Sequence, residues 1–120
     1  MSFPHPPVPA VLTSTTFDIG GFRIVHHIGV VRGLIVRSPT IAQGFFGGLK
    51  NIIGGNITAY AEMCEQARQH AFDNLVEHAQ QVGANAIVGI RYESSEVGSA
   101  QSLATEVLCY GTAVVVEPLR

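Results

Sequence analysis

Residues 54–93 read GGNITAYAEMCEQARQHAFDNLVEHAQQVGANAIVGIRYE, and this stretch decides the fold. Two glycines precede a run whose apolar or small residues fall at Ile57, Tyr60, Ala61, Cys64, Ala67, Ala71, Phe72, Leu75, Val76, Ala79 and Val82. Steps of three and four place these residues on one stripe of a helix. Glu62, Glu65, Gln66, Gln69, Asp73, Asn74, Glu77, Gln80 and Gln81 lie between them as a solvent face. Asn56 is the expected N-cap and Gly83 the expected left-handed C-cap. Ala84–Tyr92 then reads as a strand, apolar on both faces through Ala86, Ile87, Val88 and Ile90.

Working outward, Val11–Phe17 is β-branched and reads as a strand, and Asp18-Ile19-Gly20-Gly21 as a turn. Phe22–Arg37 alternates in two-residue steps, with Gly29 and Gly33 marking bulges or a bend. Residues 40–55 are glycine-rich, with apolar spacing that fits a short helix near 45–53. Residues 93–101 are polar and read as a loop or hairpin joining the last two strands. Leu103–Glu117 is the closing strand, and Val114-Val115-Val116 makes its end apolar on both faces. The order strand, strand, helix, strand, strand predicts a two-layer α+β fold, one long helix on an antiparallel sheet. The second face and the edges of that sheet are the natural subunit contacts. Residues 1–10 hold four of the six prolines and read as a flexible tail before a single domain over 11–120.

Composition narrows the function. The formal charge is −2, with seven basic and nine acidic side chains and no block of either sign. No basic stripe points to nucleic acid, and no polybasic or spanning segment points to a membrane. Charged residues make up 13% of the chain, against roughly 25% in typical globular proteins. So charge-poor a small domain is expected to bury part of its surface against copies of itself. The N-terminus lacks the features of a signal peptide, and the two cysteines form no CxxC pair, so a cytoplasmic protein with reduced thiols is expected.

No catalytic constellation stands out. QGFFGGLKN at 43–51 lacks the adjacent Gly-Lys-Ser/Thr of a phosphate loop. Arg91, Tyr92 and Glu93 are the residues an interfacial enzyme site would use. His26 and His27, neighbours on a strand, point to opposite faces; each is a packed or solvated histidine, or a donor shared across a subunit contact. His70 and His78 lie about 12 Å apart along the helix, too far to share a metal, and read as surface residues. Cys64 on the helical stripe and Cys109 on the last strand are small core residues, or thiolate donors to a soft, thiophilic metal ion. One chain's thiols do not complete a tetrahedral site, whereas a ring of subunits does.

TTFDIGGFRIVHHIGVVRG at 15–33, GGNITAYAEMCEQARQHAFDNLVEHAQQVGANAIVG at 54–89 and EVLCYGTAVVVE at 106–117 together resemble the YbjQ-like family. This family of small prokaryotic proteins is labelled as heavy-metal-binding. The resemblance implies a subunit similar to the dodecin-like fold, assembled as a ring-shaped homopentamer. It fixes no ligand set. At positions 26 and 27 the family more often carries an acidic and an aromatic residue, so histidine ligands there are peculiar to this chain. The expected function is an oligomeric binding domain for a heavy metal. The alternatives are a scaffold holding a small organic ligand between subunits and an enzyme of unassigned reaction.

Overall fold

The computed structural model describes residues 11–37, 57–97 and 104–119. The elements in chain order are β1 (Leu12–Thr13), β2 (Phe22–Arg37), α1 (Ile57–Gln81), β3 (Ala86–Val97) and β4 (Ala104–Pro118). The four strands form one sheet in the order β1-β3-β4-β2. The tail at 1–10, the short helix expected near 45–53 and the cap at Asn56 lie outside the described residues.

The expected strand–strand–helix–strand–strand order holds, but the sheet is mixed rather than antiparallel. β4 pairs antiparallel with both β2 and β3, whereas β1 runs parallel to β3, Leu12 opposite Ala86 and Thr13 opposite Ile87. A strand followed by a long return through β2 and α1 arrives beside β3 in the same direction, which a local reading of β1 does not reveal. β1 is also two residues long, not seven. Past it the chain continues to bind the β3 edge through single backbone bonds, Gly89 N–H to Thr16 O at 2.7 Å and Ile90 N–H to Ser14 O at 3.1 Å. β3 runs on through Glu93-Ser94-Ser95-Glu96, where the polar sequence suggested a loop; these residues pair with Leu108, Val107, Glu106 and Thr105.

α1 ends as its sequence dictates. Gly83 has φ +86°, its N–H bonds Gln80 O at 3.1 Å, and Ala84 N–H bonds Ala79 O at 2.9 Å. That is a Schellman closure, in which two otherwise orphaned carbonyls find donors. Next to it, Asn85 extends the β3–β4 ladder with its side chain: Oδ1 accepts Val116 N–H at 2.8 Å and Nδ2 donates to Val116 O at 2.9 Å. One amide group thereby does what a further strand residue would do.

The helix lies over one face of the sheet. Ala67, Ala71, Leu75 and Ala79 pack with Val31, Ile87, Ile90, Val107, Cys109 and Ala113 into the main core. Small residues on the helical stripe let the two layers approach closely. Closest of all is Gly33, where an added Cβ would fall on the Ala71 carbonyl oxygen and the Leu75 amide. The conformation at Gly33 is ordinary; what excludes other residues is the helix backbone itself.

The outer face divides in two. At one end Ala86, Val88, Val114 and Val116 are buried, with Leu12, Ile19, Phe22 and Ile24 packed against them from β1, the following turn and the start of β2. The surplus apolar surface expected at Val114–Val116 is therefore covered within the chain. At the other end Val30, Leu34 and Val36 alternate with the core-facing Val31, Gly33 and Ile35, and they stay 70%, 48% and 46% exposed.

Candidate functional site

The two cysteines differ sharply in access. Cys109 is 0% exposed beneath α1, whereas Cys64, earlier on the helical stripe, is half-buried. Burial pushes the Cys109 thiol above its ordinary range, partly opposed by a hydrogen bond with the Tyr92 hydroxyl. Tyr92 stands opposite Cys109 in the β3–β4 register. Its own pKa is pushed up to about 12, chiefly by burial and then by the neighbouring Cys109; Glu65 adds to the shift and Arg68 opposes it. The ring is 44% exposed, so Tyr92 forms the rim between solvent and the enclosed thiol. A soft metal binds the thiolate, and an enclosed, tyrosine-bonded thiol is a poor source of one.

His26 and His27 are both exposed on β2, opposite Val115 and Val114, with irregular register on either side. Adjacent partners on β4 mean adjacent positions on β2, so the two rings leave opposite faces. Among the described residues, no three of His, Cys, Asp or Glu come together as a metal site. The described donors of one chain thus do not fit a heavy metal by themselves. Arg91 and Glu93 lie on the outer face and Tyr92 on the helix face, so the three residues considered for catalysis do not converge.

What the outer face does assemble is a platform. Its register sets Arg91, Tyr110 and Arg32 in one row across β3, β4 and β2, and Glu93, Leu108 and Leu34 in the next. Tyr110 donates to Glu93 Oε2 at 3.2 Å, and this carboxylate raises the tyrosine above its ordinary range. Arg91 Nη1 donates to the carbonyls of Thr15 at 3.0 Å and Ile90 at 2.8 Å. Val30 and Val36 flank the two rows.

Two residues read from sequence as surface histidines have other partners. His78 Nδ1 lies 3.1 Å from Arg32 N and 3.3 Å from Arg32 O, and His70 Nδ1 lies 3.3 Å from Arg37 Nη2. Their spacing of eight gave the only signal: it sets both on one side of α1, and only the tertiary fold brings β2 beside them.

A family model described as "Putative heavy-metal-binding" matches residues 11–117. Among curated proteins, the chain is 53% identical over 106 residues to a UPF0145 protein of Legionella pneumophila, covering 88% of this chain and 96% of that one. It is 47% identical over 112 residues to a UPF0145 protein of Chromobacterium violaceum, covering 93% of each. Among solved structures, a DUF74-family protein of unknown function from Pediococcus pentosaceus superposes with a TM-score of 0.59 at 16% identity, over 89% of this chain and 98% of that one. That likeness concerns the fold alone. No helix among the described residues is long and apolar enough to cross a membrane.

Proposed function

Since the chain belongs to the YbjQ-like family, we propose that it works as a homo-oligomeric binding module, a ring of five copies whose ligand sits where subunits meet. One observation carries the assembly: Val30, Leu34 and Val36 remain exposed on the outer sheet face of a chain with 13% charged residues. Apolar side chains left exposed on the sheet face of a small, charge-poor domain suit a contact.

The proposed ligand is a thiophilic heavy-metal ion. A closed site for such an ion takes about four donors, and one chain offers a single half-accessible thiol, Cys64. The donors therefore come from several subunits, with Cys64 from each. Cys109 takes part only after Tyr92 moves away, and His26 or His27 only where a neighbouring chain adds a donor.

A small organic ligand is the second reading, supported by the half-exposed Tyr110 in a row with Arg32 and Arg91. A planar anionic molecule suits an aromatic face flanked by guanidinium groups. For enzyme action, the three residues considered, Arg91, Tyr92 and Glu93, do not converge within one chain.

Native mass spectrometry with elemental analysis of the purified protein tests both parts. The expected species is a pentamer that takes up a soft divalent ion, and Cys64→Ser is expected to abolish uptake while leaving the pentamer intact. A monomer overturns the assembly. Unchanged uptake in Cys64→Ser overturns the thiol site.

A further inference from the structure

We propose that Phe17 of one copy docks on the Val30, Leu34 and Val36 patch of the next, with Asp18 meeting Arg32. This contact rests on the assembly proposed above and gives it a direction.

Phe17 is 78% exposed, the most exposed large apolar side chain among the described residues. Yet the backbone that carries it is fastened on both sides. Ser14 N–H donates to Ile87 O at 3.0 Å, Ile90 N–H to Ser14 O at 3.1 Å and Gly89 N–H to Thr16 O at 2.7 Å. Arg91 Nη1 donates to Thr15 O at 3.0 Å, and Thr16 Oγ1 donates past the ring to Asp18 O at 2.9 Å. The ring itself rests on Gly89. That residue has φ +65°, and a Cβ there would meet Phe17 Cε1 at 3.3 Å and Cδ1 at 3.4 Å. Gly89 also lies where the β3–β4 register shifts, between Val88 and Arg91. A bulge, a left-handed glycine and an arginine side chain together hold an exposed aromatic ring in place. A ring fixed before contact loses little freedom on association, and buried aromatic anchors carry much of an interface's energy.

The occupant is a second copy because this chain carries the matching surface. The strand order β1-β3-β4-β2 sets Phe17, held at β3, and the patch on β2 on opposite sides of the sheet. A contact between two different surfaces is heterologous: each copy offers its ring to one neighbour and its patch to the other, and such contacts close into rings. Charge follows the same pairing. Exposed Asp18 adjoins Phe17, and Arg32 stands between Val30 and Leu34 on the outer face. Ring and carboxylate on one copy therefore face apolar side chains and a guanidinium on the next. Complementary charge of this kind fixes the register of a contact.

Sedimentation over a dilution series tests the contact, with urea unfolding as the check on each chain's fold. Phe17→Ala is expected to raise the concentration at which half the chains are assembled by about thirtyfold or more, with folding unchanged. Asp18→Arg and Arg32→Asp are each expected to raise it by about tenfold, and the two together to return it to within about threefold of the wild type. A wild type that assembles, with Phe17→Ala equally assembled or the double exchange no better than the single ones, overturns this contact and leaves the ring standing. A monomeric wild type overturns both. Lost folding stability in Phe17→Ala with assembly intact would place Phe17 against its own chain, and that also overturns the contact.

Discussion

The two ends of the outer sheet face have similar residues and opposite fates. At one end Val114 is 0% exposed and Val116 4%, where Leu12, Ile19, Phe22 and Ile24 pack against them. At the other, Val30 is 70% exposed and Leu34 and Val36 nearly half so. Both ends alternate apolar side chains on adjacent, paired strands. What separates them is not residue type but the length of chain available to cover them: the β1–β2 connection reaches the first end only. The contrast teaches that apolar patterning on a strand predicts burial without saying by what.

The strongest way to break this comparison is a charge at the covered end. Val114→Asp places a carboxylate where neither water nor a partner reaches it. Burying an unpaired charge and losing the packing together belong to the most damaging class of substitution, about 4 kcal/mol or more. We expect no folded protein at 37 °C, or a urea midpoint lowered past measurement. A Val114→Asp variant with near-native stability would mean that the second cluster is not a core.

Asn85→Ala comes next. It removes both bonds to Val116 at once, leaving a strand N–H and C=O partly buried without partners. Each such loss costs about 1–3 kcal/mol, less where water replaces the amide, so a total of about 2 kcal/mol is expected in urea unfolding. The loss should be confined to the covered end, with faster hydrogen exchange at Val116 and at its β2 partner Ile24, and unchanged exchange at Leu34. Equal loosening of both ends would show the face to be one cooperative unit.

These sites show what the sequence discloses and where it falls silent. The helix was legible because its stripe repeats every three or four residues over 25 positions, and its end because Gly83 is the residue a left-handed cap prefers. The β3–β4 hairpin was legible from the short connection. The extension of β3 was not: Glu93-Ser94-Ser95-Glu96 lacks apolar alternation, and the strand persists there because β4 supplies a full ladder of partners. The parallel pairing of β1 with β3 joins residues more than seventy positions apart, which no local pattern encodes. Asn85, Asn74 and His78 were hidden for the same reason, since each acts on backbone groups of a distant strand, as was His70, which meets the Arg37 side chain there. Of the candidate ligands, the inward position of Cys109 was legible; the Tyr92 hydroxyl that shares its hydrogen bond was not.

The smallest effect on folding is expected at the open end, and there the comparison is sharpest. Leu34→Glu changes a half-exposed side chain whose backbone carbonyl, not its side chain, meets Asn74. Surface changes of this kind move stability by about 0.5 kcal/mol or less. If the open end is a subunit contact, the same substitution puts one carboxylate per chain into each interface, uncompensated and cut off from water. Assembly then falls by orders of magnitude while each chain remains folded, which sedimentation and urea unfolding read separately. Intact assembly in Leu34→Glu would move the contact elsewhere, to the sheet edges. A large loss of folding stability would show instead that Leu34 is already covered within its own chain.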